Sequence, residues 1–206
     1  MLREIRAGQR HSELVLPMLD EMLAEAGLTL AQLDGIAFGA GPGSFTGLRI
    51  ACGVAQGLAL GANLPVLGIG TLEALAQTQA TGDSKVIAAL DARMGEIYHA
   101  AYTKSAKSAD NGWETVCEPT LCLPQYAPQV PGDNWTGCGS GFDKYDEALG
   151  NRYHGQIGRI DAGIYPHARE MAQLAAPRFA KGLGVDPADA APLYVRNKVA
   201  LKESER

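Results

Sequence analysis

Phe38 to Ile50, FGAGPGSFTGLRI, carries glycines at 39, 41, 43 and 47 with Pro42, Ser44 and Thr46 between two apolar segments. Its reading decides the fold, because a phosphate cradle and a plain strand-to-helix turn use the same residues. A Walker loop needs a lysine to reach the terminal phosphates and a hydroxyl after it for magnesium. No lysine lies between Gly39 and Ile50. A dinucleotide fingerprint needs G-x-G-x-x-G and a ribose-binding acid about twenty residues on. Here Gly39, Gly41 and then Ser44 fill the frame, no Asp or Glu occurs between Asp34 and Glu73, and Pro42 removes a backbone N–H. The stretch therefore reads first as a tight turn, with Ser44 or Thr46 capping a following helix. Gly41, Gly43 and Ser44 stay as candidate nucleotide-contacting residues, together with Gly139 of a second glycine cluster, Gly137 to Gly141.

Outward from the turn, DGIAFGA reads as a buried strand before it and SFTGLRIACGVAQGLALGA as the helix behind it. LPVLGIG and TLEALAQTQA follow as a second strand and helix. Upstream, REIRAG reads as a short strand and HSELVLPMLDEMLAEAG as a helix. That helix has Val15, Leu19, Met22 and Ala26 at helical spacing, Ser12 as its cap and Gly27 as its stop. This alternation predicts an α/β fold with a mostly parallel sheet. After residue 82 the texture changes. KVIAALDARMGEIYHAAY reads as a hairpin about Asp91 to Gly95, HAREMAQLAAPRFAKGLG as an amphipathic helix, and the residues from Ala188 as an extended tail that turns charged. Two domains are expected, residues 1–82 and 83–206.

The helix behind the turn has two small-residue lines, Gly47, Ala51, Ala55 and Ala59, and Gly53, Gly57 and Gly61, with Arg49 and Gln56 between them. Each glycine weakens a lone helix by up to ~1 kcal/mol relative to alanine, a cost usually offset by a close packing contact. One line suits the domain's own sheet. The other suits either a partner helix or further packing inside the domain.

The formal net charge of -5 lacks the basic excess that a stand-alone nucleic-acid binder usually shows, and no Lys/Arg run stands out. No apolar run is long enough to span a bilayer and no signal-peptide core is visible, so the expectation is a cytoplasmic protein that does not enter membranes. Cys52, Cys117, Cys122 and Cys138 form no C-x-x-C pair, and His11, His99, His154 and His167 form no metal motif. Buried free thiols and no metal site are expected. Asp91, Arg93 and Glu96 gather at the hairpin turn, where a local ion pair outranks acid/base work. No G-x-S-x-G elbow appears, and neither Ser44 nor Ser140 has an assignable base.

Gly39 to Ala76, GAGPGSFTGLRIACGVAQGLALGANLPVLGIGTLEALA, together with LDARMGEIYHAAY and PLYVRNKVA, closely resembles the bacterial TsaB (YeaZ) family, over nearly the whole chain. The resemblance implies an actin- and Hsp70-like (ASKHA) fold of two ribonuclease-H-like domains. It implies a role in forming threonylcarbamoyladenosine in tRNA as a non-catalytic paralogue of the TsaD-type transferase. The paralogue's metal pattern, H-x-E-G-H, meets GTLEALA here. Glu73 is acidic, but Thr71, Leu72, Ala74 and Leu75 cannot replace imidazole ligands. The resemblance further implies pairing with that transferase, or with a second copy, through two helices. The residues concerned are Val15, Met18, Leu19 and Met22 on the first, and Arg49, Gly53, Gln56, Gly57 and Leu60 on the second. A TsaE-type ATPase is the implied third member, tRNA is met through the complex, and ATP or ADP binding is weak and confined to the complex. A nucleotidase or glycoprotease-like enzyme is the alternative. Chains of the family begin with a further strand hairpin bearing an I-D-T-S-like pattern. This one starts at what should follow it; a genuine start would leave a sheet edge open, and a misassigned start codon would explain the difference equally well.

Overall fold

The computed structural model describes residues 1–5, 10–81, 84–105 and 112–195. Its described residues group into two compact units. The first takes Met1–Ala40, Ser44–Ile69 and His167–Pro192. The second takes Gly41–Gly43, Gly70–Pro166 and the residues from Leu193. A single cut after residue 82 does not reproduce this grouping. The chain returns to the first unit after 166, a long-range step that local sequence pattern does not carry, and residues 82 and 83 lie outside the described residues.

The first unit is built on β1 (Ile36–Gly41) and β2 (Val66–Gly70), paired in a two-stranded sheet and connected by α2 (Phe45–Ala62). The Ser44 hydroxyl caps α2 by accepting from the Gly47 N–H at 3.4 Å. Asn63, in the left-handed region at φ 53°, stops the helix, as short polar residues do at C-caps. Ala55 and Ala59 of α2 pack with Phe38, Ala40, Leu64 and Val66 into the unit's core. Val185 exchanges backbone hydrogen bonds with Val66, N–H to O at 2.9 Å and 3.0 Å, and so covers β2 from its other side. α2 is the one described helix that by length and composition could cross a membrane. At 18 residues it spans about 27 Å, short of the ~30 Å hydrocarbon core, and its buried alanine line is already used by the sheet.

α1 (His11–Ala26) ends on Gly27 at φ 65°, whose N–H donates to Ala24 O, while that of Leu28 donates to Leu23 O. Its start corrects the expected capping. The backbone is already near-helical at Arg10, so Ser12 lies inside the helix and no side chain caps it. Pro17 therefore sits within the helix and not just past its first turn. The expected first strand is also absent from residues 1–5, and residues 6–9 lie outside the described residues. α6 (Ala168–Ala180) belongs to this unit, with its Phe179 ring set against Gly35, where an added Cβ would meet ring carbon at 2.4 Å.

The second unit holds a five-stranded sheet in the order β5-β4-β3-β6-β7: β5 (Glu114–Cys122), β4 (Glu96–Lys104), β3 (Ser84–Arg93), β6 (Trp135–Cys138) and β7 (Ile157–Asp161). β3, β4 and β5 are antiparallel, whereas β6 and β7 run parallel to β3. The expected hairpin is β3–β4, turned by Arg93, Met94 and Gly95 at positive φ. One face carries α3 (Thr71–Gln77), whose Leu72, Leu75 and Ala76 are fully buried with Val86, Ala88 and Ala100. A second core, centred on Trp135, Phe142, Leu149 and Tyr153, involves α4 (Ser140–Lys144) and α5 (Asp146–Arg152).

Candidate functional site

A helix face is the feature with no internal explanation. At Gly53, Gly57 and Gly61 of α2 an added Cβ would meet nothing within 4 Å, so the chain's own packing does not demand glycine there. Leu60, beside them, is 74% exposed, an unusual state for a leucine in an 18-residue apolar helix. Arg49 lies on Phe45, its guanidinium carbon 3.8 Å from the ring centroid, so both side chains are held at the start of the same helix. Val15, Met18, Leu19 and Met22 are half-buried along α1, which has no fully buried residue among those described. Gln56 departs from the others. Its Nε2 donates to Pro187 O at 3.0 Å and Ala190 O at 3.1 Å, so its amide is spent on holding the returning segment.

In the glycine-rich turn before α2 the Ser44 hydroxyl serves as the helix cap. Gly41 is buried with φ 115°, a value that favours glycine in this turn. Gly139 is glycine for a reason internal to the unit. At φ 99° an added Cβ would lie 2.4 Å from Ala89 O and 2.5 Å from Leu75 Cδ2. The requirement comes from β3 and α3, and no ligand is needed to account for it.

The Asp91 cluster is an ion-pair knot, with different partners from those the sequence suggests. Lys144 Nζ stands 2.9 Å and Tyr145 Oη 3.1 Å from the Asp91 carboxylate, while Arg93 Nη1 is 4.0 Å away and contributes chiefly its backbone N–H, at 3.0 Å. The Asp91 N–H donates to Ser140 Oγ at 3.1 Å. Burial alone would raise this carboxyl, but hydrogen bonds from Lys144, the Arg93 N–H and Tyr145 outweigh it and hold it below the usual range. A carboxylate so stabilised is a poor general base at neutral pH.

Two further titratable sets are structural. Tyr153 has one hydroxyl proton and gives it to Pro128 O at 2.7 Å, so His99 Nε2, 2.8 Å from Tyr153 Oη, must be the donor of that pair. His99 Nδ1 is left buried without a hydrogen-bond partner, and burial, with the Arg152 charge, lowers the imidazole to about 4. Cys52 and Cys138 are buried as expected, whereas Cys117 and Cys122 are half-buried. Burial pushes Cys138 up to about 12 and Cys122 to about 11, with nearby carboxylates adding to the rise. Among the described residues no three His, Cys, Asp or Glu side chains come together as a metal site. Leu72, Ala74 and Leu75, around Glu73, are fully buried core. A cavity of about 830 Å³ in the first unit, between Leu33–Ala37 and α6, is mostly apolar, with Asp34 as its one charged lining residue among those described. It offers no nucleophile.

Comparison with known proteins follows the same line. The chain is 39% identical over 199 residues to the tRNA threonylcarbamoyladenosine biosynthesis protein TsaB of Escherichia coli (strain K12), covering 95% of this chain and 84% of that one. This chain belongs to the TsaB (YeaZ) family. The TsaB of Haemophilus influenzae is 37% identical over 204 residues, covering 96% of this chain and 84% of the relative. A family model described as TsaD, tRNA N6-adenosine threonylcarbamoyltransferase, matches residues 5–200. Among solved structures, a Pseudomonas aeruginosa protein described as uncharacterized with similarity to peptidase YeaZ superposes with TM-score 0.77 at 37% identity. It covers 92% of this chain and 84% of its own. YeaZ from the same organism gives 0.76 at 37% identity, covering 89% and 84%. The fold is thus the ASKHA-type α/β architecture of TsaB and TsaD.

Proposed function

We propose that this chain is a non-catalytic scaffold subunit in the formation of threonylcarbamoyladenosine in tRNA, binding and activating a TsaD-type transferase through α1 and α2. Family membership supports the pathway, since the relatives are named for that biosynthesis. Fold alone does not assign a role within it. The observation that carries the scaffold reading is the open glycine line Gly53, Gly57 and Gly61 beside the exposed Leu60. Glycines that lower helix stability and touch nothing inside the chain are explained by a second helix seated on them.

In this reading a TsaE-type ATPase joins the assembly, tRNA is met through the complex, and the same face pairs two copies when the transferase is absent. ATP or ADP binds weakly and only in the complex, and the protein works in the cytoplasm. In this reading Asp91 has a structural part, held ionised by Lys144 and Tyr145. The test is reconstitution. The transferase with this chain should modify tRNA, and omission of the chain should abolish the product. ATP hydrolysis or peptide cleavage by the isolated chain, lost in Asp91→Ala, would establish an enzyme instead.

A further inference from the structure

The second unit has a polar cup at the end of its sheet opposite the Asp91 knot. Three adjacent strands start there, and their registers, Val86 beside Thr136 and Thr136 beside Arg159, bring Lys85, Thr136 and Arg159 to one place. The register slips by one residue between Trp135 and Thr136, leaving Gly158 as the extra residue of β7. Gly158 is part of the lining, and a Cβ added there would make an ordinary contact with Asn134 at 3.4 Å. The cavity is about 300 Å³, roughly ten waters at ~30 Å³ each.

The groups facing it are arranged as donors. Lys85 Nζ is held by a neutral acceptor, Asp133 O at 3.1 Å, and among the described residues no carboxylate stands within 4 Å of it. Arg159 is fixed from behind. Gln79, only 7% exposed, accepts from Arg159 Nη2 at 3.1 Å and donates its own Nε2 to Thr78 Oγ1 at 3.0 Å. A buried amide carries a desolvation cost, and here its oxygen is spent on orienting a guanidinium towards solvent. Asp161 takes part of that charge at 3.1 Å, leaving the other guanidinium N–H groups and the Lys85 ammonium. Ser84 Oγ accepts from the Thr81 N–H at 3.2 Å and donates to Gln79 O at 3.3 Å, tying the rim together. The Asn134 amide and the Thr136 hydroxyl complete the lining, which includes no carboxylate among the described residues.

We propose that this cup binds a phosphate group, with the Lys85 ammonium and the Arg159 guanidinium as its charged contacts. Two preoriented cations, hydroxyls and an amide around a small open volume match a tetrahedral oxyanion. The phosphodiester backbone of RNA and free inorganic phosphate present the same chemistry. The site is built from residues of the second unit alone, and it stands whether or not α1 and α2 carry the proposed pairing.

The test titrates the full chain with inorganic phosphate, and separately with a short single-stranded RNA, following amide NMR shifts of residues 79–85, 134–136 and 158–159. Lys85→Gln and Arg159→Gln should each weaken binding about tenfold, and the double variant should abolish it. With RNA the salt slope should fall by ~0.7 for each cation removed. Response to phosphate alone assigns a free ion, and response to RNA, or to both, assigns the backbone. Each outcome supports the site. No shift with either probe, or binding unchanged in a double variant that keeps its melting temperature, overturns it.

Discussion

The open glycine line gives a prediction with opposite signs for folding and for pairing. In Gly53→Ala/Gly61→Ala, both methyls enter space with no atom within 4 Å, so neither has a steric cost in the isolated chain. Each replacement removes the helix penalty of glycine, ~0.8–1.0 kcal/mol. The two positions are eight residues apart, about 12 Å along the helix, far enough for their effects to add. The expected gain is about 2 kcal/mol, and with a urea slope of ~2 kcal/mol per M the unfolding midpoint rises by ~1 M. Gly57→Leu should leave the isolated chain as stable as the parent and abolish co-elution with the transferase, since a leucine would hold two helices apart at the line of closest approach. Urea melts at several protein concentrations, with size-exclusion of mixtures, make both measurements. A double-alanine chain less stable than the parent at every concentration would mean the line is packed within the chain. Undiminished co-elution of Gly57→Leu would remove α2 from the interface.

The other expectations concern the second unit. His99 titrates at about 4 when folded against ~6.5 when unfolded. The unfolded chain therefore takes the proton first: stability is complete above pH 6.5 and falls by about 3 kcal/mol as the pH drops to 4. His99→Gln should flatten that acid limb in urea melts from pH 7 to 4. Gly139→Ala should cost about 3 kcal/mol, from positive-φ strain and the Ala89 O clash together, read as a lower melting temperature without any ligand present. A thiol reagent at pH 8 should label native Cys138 far more slowly than the unfolded chain, because the fully buried thiol is held up at about 12.

What can be read in the sequence is the part that local chemistry decides. Gly27 stops α1 and Ser44 caps α2 because each acts on backbone groups within a few residues of itself, so the strand, turn and helix around Phe38 to Ile50 are legible. The Ser12 cap fails locally, because α1 has already begun at His11, whereas the other failures come from partners distant in the chain. Gln56 reads as a free polar residue beside the small-residue lines, yet its partners are Pro187 and Ala190, more than 130 residues away. Asp91 pairs in sequence with Arg93, its neighbour, whereas the closer cation is Lys144, placed by α4. Lys85 and Arg159 give no signal at all, because only the parallel register of β3, β6 and β7 makes them neighbours.

The same distinction separates the two kinds of glycine in this chain. At Gly139 backbone and side-chain atoms of the same unit forbid a Cβ, and the residue is explained by folding. At Gly53, Gly57 and Gly61 nothing forbids it, and folding alone would favour alanine. A residue that the fold does not require and that weakens the helix holding it points to a requirement outside the fold. The catalytic reading places its demand at Asp91 and Gly139, which internal contacts already account for. The scaffold reading places it on the face of α2, where they do not.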